Sequence, residues 1–229
     1  MRIARLSSLL LIAALGGCSL LPDGGERSGS RDVRGQAPAR QAETAQIATT
    51  RESRQCLSEL AGLQADFTPL PDRDYGTGCS TNNTVALSQL RSDDDRLALS
   101  NLGPVSCPLA TTFAGWARYG VDRAARQQLG SPLKKIETFG SYSCRNVAGS
   151  GRRSAHASAK AIDVAAFVLE DGRRISVKEG WQGTRAEKEF LQTIQNSACK
   201  RFGTVLGPEY NRAHEDHFHL EEGGGGFCR

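Results

Sequence analysis

The chain has little histidine and lacks the patterns that mark several protein classes. Only four of its 229 residues are histidine. It has no heptad or solenoid repeat, and its eight prolines are scattered, which excludes a repeat protein and a polyproline rod. The net charge is a mild +4 without a basic stripe, so nucleic acid is not an expected partner. No Cys-x-x-Cys pair occurs, which argues against a cysteine zinc site.

Residues 1–18 are predicted to be an export signal. Two arginines precede the apolar run Leu6–Leu15, which is too short to span a bilayer as a mature helix. The following Gly16-Gly17-Cys18 resembles the end of a bacterial lipobox, where cleavage leaves an acylated cysteine at the new N-terminus. Ser19 in the next position implies, by this resemblance, a periplasmic protein that lipidated Cys18 anchors to the outer membrane. A plain signal peptide and a buried N-terminal helix are the alternatives.

Residues 19–54 are predicted to form a disordered tether. They are rich in Gly, Ser, Arg, Gln and Ala and have almost no large apolar side chains, so they cannot bury enough surface to offset their conformational entropy. A flexible segment of about 35 residues spans roughly 30–35 Å. Residues 55–229 then form the folded domain, which would reach nearby cell-wall polymer. We expect it to be a monomer.

Disulfides are predicted for the folded domain. Without Cys18, six of the seven cysteines remain, and an even number in an exported chain indicates an oxidised framework. The sequence leaves the connectivity open. Pairing of nearest neighbours is the working prediction, which gives Cys56–Cys79, Cys107–Cys144 and Cys199–Cys228.

Hydrophobic spacing predicts an α+β fold with a small, mostly antiparallel sheet and flanking helices, stabilised by the disulfides. The firmest element is a helix over Pro108–Leu129, with proline at its start, glycine after its end and one apolar face. The other predicted elements are a short helix Cys56–Gln64, a loop over 66–83, strands Lys135–Phe139, Ala161–Leu169 and Thr204–Leu206, a hairpin turn at Asp171-Gly172 and a helix Thr184–Phe202.

Histidine distribution indicates a functional site. Three of the four histidines lie in the stretch 214–219, and the fourth, His156, precedes an apolar run that Asp163 interrupts. A carboxylate buried in such a run is normally paired or bound to metal. A salt bridge to an arginine is the alternative explanation for Asp163.

These residues predict a zinc site. If Phe218 lies on a strand, His217 and His219 project to the same face, since strand side chains repeat every second residue. Zinc binds imidazole and carboxylate, and a catalytic site has three protein ligands. We predict His156, Asp163 and His219 as ligands, with Asp216 and His217 beside the metal for proton transfer and charge stabilisation.

The chain from about Cys107 to Arg229 resembles the bacterial extensin-like C-terminal domain family. The shared segments are Ser141-Tyr142-Ser143-Cys144-Arg145, His156-Ala157 through Ala161-Ile162-Asp163-Val164, Leu206-Gly207-Pro208-Glu209-Tyr210-Asn211 and residues 214–219. The serine-proline blocks of plant extensins are absent, so a plant-extensin role is not implied.

A histidine seven residues before an aspartate (His156 and Asp163), followed later by Asp-x-x-His (Asp216 to His219), is more distantly similar to the motifs of zinc D-alanyl-D-alanine and peptidoglycan endopeptidases. The similarity implies the same zinc ligands as above, with Asp216, three residues before the last histidine, as the catalytic base. The glycine usual in those enzymes three residues after the first histidine is Ala159 here, so the local turn is expected to differ.

This resemblance implies a mechanism. Zinc would lower the pKa of water to about 7, and Asp216 would take a proton and return it to the leaving amine. His217 and Arg145 would stabilise the oxyanion. Arg145 could instead bind a substrate carboxylate or make a structural ion pair. Ser154 could touch substrate, orient a ligand or be a plain loop serine.

The sequence thus favours a lipid-anchored periplasmic zinc peptidase that acts on peptidoglycan peptides. One rival is a non-catalytic wall-binding or structural lipoprotein that a metal stabilises. A second rival, a copper- or zinc-carrying chaperone, fits the histidines but not the embedded Asp163.

Overall fold

The computed structural model of this chain describes residues 50–224 and 226–229, so the predicted signal, the lipobox Cys18 and most of the predicted tether lie outside them. None of the described helices is long and apolar enough to cross a membrane. The helices are α1 (Arg51–Gly62), α2 (Cys107–Trp116), α3 (Val177–Gly180) and α4 (Arg185–Cys199). The strands are β1 (Asp66–Pro69), β2 (Arg73–Gly76), β3 (Cys79–Thr81), β4 (Thr84–Arg91), β5 (Arg96–Ser100), β6 (Pro104–Ser106), β7 (Leu133–Gly140), β8 (Ala161–Leu169), β9 (Arg174–Ser176), β10 (Thr204–Leu206), β11 (Phe218–Glu221) and β12 (Phe227–Cys228).

The central sheet is large and mixed. Its strand order is β1-β4-β5-β7-β8-β11-β10-β12, with β6 paired to β4 and β9 paired to β8, which makes ten strands. Two neighbouring pairs, β5–β7 and β10–β12, are parallel. Helices, a sheet and disulfides are confirmed, but the prediction of a small sheet is wrong, because the sheet is large and mixed, although its other neighbouring strands pair in antiparallel fashion. Several strands are only two to four residues long, which is too short for an alternating pattern to indicate them.

The predicted long helix is present, although part of it is π-helical. It begins as α2, continues through the π-helical segments Ala117–Asp122 and Ala125–Leu129, and ends at Gly130, whose φ is 72°. Its predicted apolar face is buried. The Trp116 indole donates a hydrogen bond to the Ile194 carbonyl of α4 at 3.0 Å, so the two helices pack together beside the sheet.

The N-terminal part of the fold is more regular than its sequence indicates. Helix α1 begins at Arg51, where Thr50 caps it, and not at Cys56 as predicted. Residues 51–54, which were expected in the tether, are therefore helical. The predicted loop over 66–83 contains three short strands, β1 in the main sheet and the β2–β3 hairpin.

The predicted disulfide connectivity is one-third correct. Cys199 and Cys228 are bonded as predicted. The other two bonds join Cys56 to Cys107 and Cys79 to Cys144, so both remaining nearest-neighbour pairings are wrong. Helix α1 packs on the start of α2, which brings Cys56 to Cys107. The bond from β3 to Cys144 fixes the segment directly before Arg145.

Candidate metal centre

Two neighbouring strands bring Asp163 and His219 together. Strand β8 pairs with β11 in antiparallel register, and this register sets His219 opposite Asp163. Residues directly opposite in an antiparallel pair project their side chains to the same face. Glu221 lies two residues beyond His219 on β11 and shares that face. Pairing of these strands therefore explains how a carboxylate from the middle of the chain meets an imidazole near its end.

A single helical turn directly before β8 presents His156. The turn spans Ala155–Ser158, and the Ser154 side chain caps it by accepting a hydrogen bond from the His156 backbone N–H. Ala159 follows with a φ of 55°, a left-handed conformation that glycine adopts most readily. Ala159, for which the distant resemblance predicts glycine, therefore has a backbone conformation that favours glycine.

His156, Asp163 and His219 converge on one point. His219 Nδ1 lies 2.8 Å from Asp163 Oδ1, His156 Nε2 lies 3.1 Å from Asp163 Oδ2, and the two imidazole nitrogens are 3.2 Å apart. His156 is 2% exposed, Asp163 is 8% exposed and His219 is 6% exposed. One donor atom from each lies within 4.8 Å of the others, so the three side chains could share a metal ion.

Oxygen acceptors orient both of these imidazoles. His156 Nδ1 donates to the Ser141 carbonyl at 2.6 Å, which leaves Nε2 to face the point of convergence. His219 Nε2 donates to Glu221 Oε1 at 2.9 Å, which leaves Nδ1 to face it. Histidines that bind metals characteristically donate their other ring N–H to a carbonyl or carboxylate in this way. Glu221 was missed from the sequence, although its spacing from His219 on a strand was the available signal.

The side chains of this centre form a buried network of ion pairs. Burial raises the pKa of Asp163, but hydrogen bonds from His156 and His219 outweigh burial and hold that pKa well below its ordinary value. Burial lowers the pKa of His219, but the carboxylates of Asp163 and Glu221 outweigh it and raise that pKa to about 9. The hydrogen bond from His219 in turn lowers the pKa of Glu221. Without metal, His219 is therefore an imidazolium between two carboxylates at neutral pH.

The other two histidines lie at the outer side of this network. His217 donates from Nδ1 to Asp216 Oδ1 at 2.8 Å, and its Nε2 lies 3.5 Å from Asp163 Oδ1. His214 donates from Nδ1 to Asn211 Oδ1 at 2.8 Å. Burial, together with the nearby His217, lowers the pKa of His214 to about 4, so His214 is neutral at pH 7.

The two other predicted site residues also lie close to the network. The Arg145 side chain is 48% exposed, and its Nη2 is 3.8 Å from Asp163 Oδ2. Ser154 is buried, and its hydroxyl caps the turn that carries His156. Its hydroxyl therefore contacts the backbone of a predicted ligand, His156, and its role in the site remains a prediction.

A cleft of about 710 Å³ opens beside the network. Both predicted substrate-contacting residues line it, together with three histidines and exposed aromatic side chains. These lining residues include Arg145, Ser154, His214, His217, His219, Tyr210 and Phe227. His156 and Asp163 are not among the residues that line this cleft, whereas His219 is. The network therefore meets the cleft at His219, although all three side chains are buried.

Comparison with known proteins identifies the family. Neither a search of the curated proteins nor one of the solved structures found a match. A family model described as the extensin-like protein C-terminus matches residues 54–229, which includes every residue of the network. The chain therefore belongs to the extensin-like C-terminal family.

Proposed function

We propose that this protein is a zinc-dependent peptidase that hydrolyses peptide bonds in cell-wall peptidoglycan. One observation carries the proposal: donor atoms of His156, Asp163 and His219 lie within 4.8 Å of one another, and His219 lines a cleft of about 710 Å³. A single carboxylate with two imidazoles beside an open cleft is the ligand arrangement of catalytic zinc sites.

The residues present fit a zinc ion by their chemistry. Two neutral nitrogen donors and one carboxylate suit a borderline-soft divalent ion, and each imidazole is already oriented by an oxygen acceptor. Bound there, zinc supplies Lewis acidity, which acidifies water and polarises a carbonyl group. The remaining chemistry is assigned to side chains of this chain.

Proton transfer is assigned to Asp216 and His217 as a pair. Asp216 Oδ1 accepts the Nδ1–H of His217, so the opposite nitrogen, Nε2, faces Asp163. In this arrangement His217 accepts the proton of the attacking water and returns it to the leaving amine. Asp216 holds the ring in position and stabilises the imidazolium that forms. The distant resemblance gives the base role to Asp216 alone, whereas these distances favour the pair.

Arg145 is assigned to substrate. Its guanidinium lines the cleft, is half-exposed and lies close enough to the centre to meet an oxyanion or a carboxylate of a bound peptide. Disulfide Cys79–Cys144 fixes the residue directly before it, which limits the positions that Arg145 can adopt.

The proposed setting is the periplasm. A lipid anchor on Cys18 and a flexible segment after it would hold the domain at the outer membrane within reach of the wall. The substrates would be the peptide stems of peptidoglycan, and the disulfides are consistent with an oxidising compartment.

Digestion of purified muropeptides tests the proposal. Zinc-loaded full-length protein should release new amino groups, chelator-treated protein should not, and added zinc should restore release. His217→Gln should reduce turnover by about 10²–10⁴-fold, the usual contribution of a general acid–base group, with zinc content unchanged. Asp94→Asn removes a surface carboxylate that contacts Arg126 and should leave turnover unchanged. Full turnover by the His217 variant would contradict the assigned mechanism.

A non-catalytic wall-binding or structural role is the second candidate. The observation that favours it is burial, because His156, Asp163 and His219 are each less than one-tenth exposed, as in closed structural metal sites. A protein that binds zinc, unfolds when zinc is removed and digests no muropeptide would support this role over the peptidase.

A further inference from the structure

The three histidines near the C-terminus form a second set of donors, of which the peptidase proposal uses only His219 as a ligand. One nitrogen from each of His214, His217 and His219 lies within 4.8 Å of the others. The ring centroids of His214 lie 5.2 Å from His217 and 5.7 Å from His219. Three imidazoles at these separations form a ligand set for zinc and other late divalent transition metals.

Both additional histidines are oriented as ligands. The Nδ1–H of His214 is held by the Asn211 amide oxygen, and that of His217 is held by the Asp216 carboxylate, each at 2.8 Å. Each ring is therefore oriented through Nδ1, which leaves Nε2 as the nitrogen that can bind an ion. The same device orients His156 and His219, so every histidine of the chain has one nitrogen held by an oxygen.

Position distinguishes the two sets. All three members of the second set line the cleft, whereas of His156, Asp163 and His219 only His219 does. We call His156, Asp163 and His219 the inner set, and His214, His217 and His219 the outer set. An ion that arrives through the cleft meets the outer set first.

The shared histidine prevents both sets from being complete together. His219 Nδ1 faces Asp163 and His156, and its Nε2 is bonded to Glu221. It therefore has one nitrogen to offer, and one ion at a time can have a full set of three protein ligands.

We infer that the outer set is a second metal position, which captures a divalent transition-metal ion from the cleft and passes it to the inner set. This inference rests on the proposed zinc centre, though not on peptidase activity. The inner set holds the ion more tightly, because its carboxylate supplies a negative charge that the three neutral imidazoles lack. His214 is the residue specific to this role, since the peptidase mechanism does not need it.

Zinc titration of the metal-free full-length protein against a chromophoric chelator tests the two positions. Wild type should bind one zinc ion per chain. His156→Ala and Asp163→Asn each break the inner set and should still bind one ion, with affinity reduced at least about tenfold. Adding His214→Ala to either variant should abolish the remaining binding. Two inner-set variants are used because either buried change could impair folding, which circular dichroism would report.

Loading kinetics test the transfer in an otherwise intact centre. His214→Ala alone should bind one zinc ion with nearly wild-type affinity but take it up at least about tenfold more slowly, because capture at the cleft is lost. His214→Asn is matched to His214→Ala, because it also removes the imidazole ring, and it should slow zinc uptake in the same way. Uptake at the wild-type rate in both variants would overturn the inference.

Three titration results would also overturn it. These are an inner-set variant that folds but binds no zinc, residual binding that survives the loss of His214, and two ions bound tightly by wild type. Failure of the peptidase proposal is a separate result, since muropeptides would then remain intact whatever the titrations show.

Discussion

In the metal-free protein, His219 should make stability depend strongly on pH. Its pKa is about 9 in the folded state against an ordinary value of 6.5, because the carboxylates of Asp163 and Glu221 outweigh burial. Between these two values the folded protein holds a proton that the unfolded chain has released. The stabilisation is therefore fully present below pH 6.5 and is lost as the pH rises through about 9.

The magnitude follows from the difference between the two pKa values. Each pH unit across which the folded state alone holds one proton changes the free energy of unfolding by about 1.4 kcal/mol. Across the interval from 6.5 to about 9, the loss is therefore roughly 3 kcal/mol. That is a large fraction of the stability of a typical domain, which is about 5–15 kcal/mol.

Urea unfolding in the presence of a chelator, with the disulfides intact, measures this loss. Fits at half-unit intervals from pH 6 to pH 9.5 should show stability decreasing with rising pH. His219→Gln should flatten the profile, because glutamine cannot bind the proton. His214→Gln is the matched control and should retain the slope, since His214 is neutral throughout this range. A flat wild-type profile, or an equal slope in His219→Gln, would refute the reasoning.

Three further predictions concern metal affinity and the surrounding structure. Zinc must displace the His219 proton, so its apparent affinity should rise about tenfold per pH unit until roughly pH 9; chelator competition that shows no pH dependence would contradict this. Replacing both cysteines of the Cys79–Cys144 disulfide with serine should lower the free energy of unfolding by about 4 kcal/mol. It should also raise KM for muropeptides, because the bond fixes the residue before Arg145. The zinc affinity should not change, and an altered affinity would contradict this prediction. Asp122 is fully buried and accepts a hydrogen bond from Arg126 at 2.9 Å. Asp122→Ala should therefore lower the free energy of unfolding, measured by chemical denaturation, by about 3 kcal/mol without changing zinc content. A loss below about 1 kcal/mol would show that the ion pair contributes little.

Local patterns in the sequence were sufficient to predict the central residues of the site. Asp163 stood out because it interrupts an apolar run, and alternation along a strand placed His219 on a defined face. Pairing of β8 with β11 then brought the two residues together. The roles of these residues as zinc ligands remain predictions, but their proximity is a feature of the fold.

Tertiary packing decided the features that sequence could not predict. The disulfide partners Cys56 and Cys107 are 51 residues apart and meet because α1 packs on α2. The number of residues between two cysteines does not predict whether such a contact between helices forms. The extent of the sheet was missed for a related reason. Strands as short as β6 and β12 depend on backbone hydrogen bonds to a longer neighbouring strand, which the sequence does not reveal. Among the site residues, Asn211 was missed for a local reason, because its contact with His214 depends on the short helical turn that Asn211 caps.

Anomalous diffraction at the zinc edge from crystals of the full-length protein grown with zinc tests the central claim most directly. The account predicts one strong peak per chain within bonding distance of His156, Asp163 and His219. A peak at any other position, or no peak from a protein that has taken up zinc in solution, would contradict it.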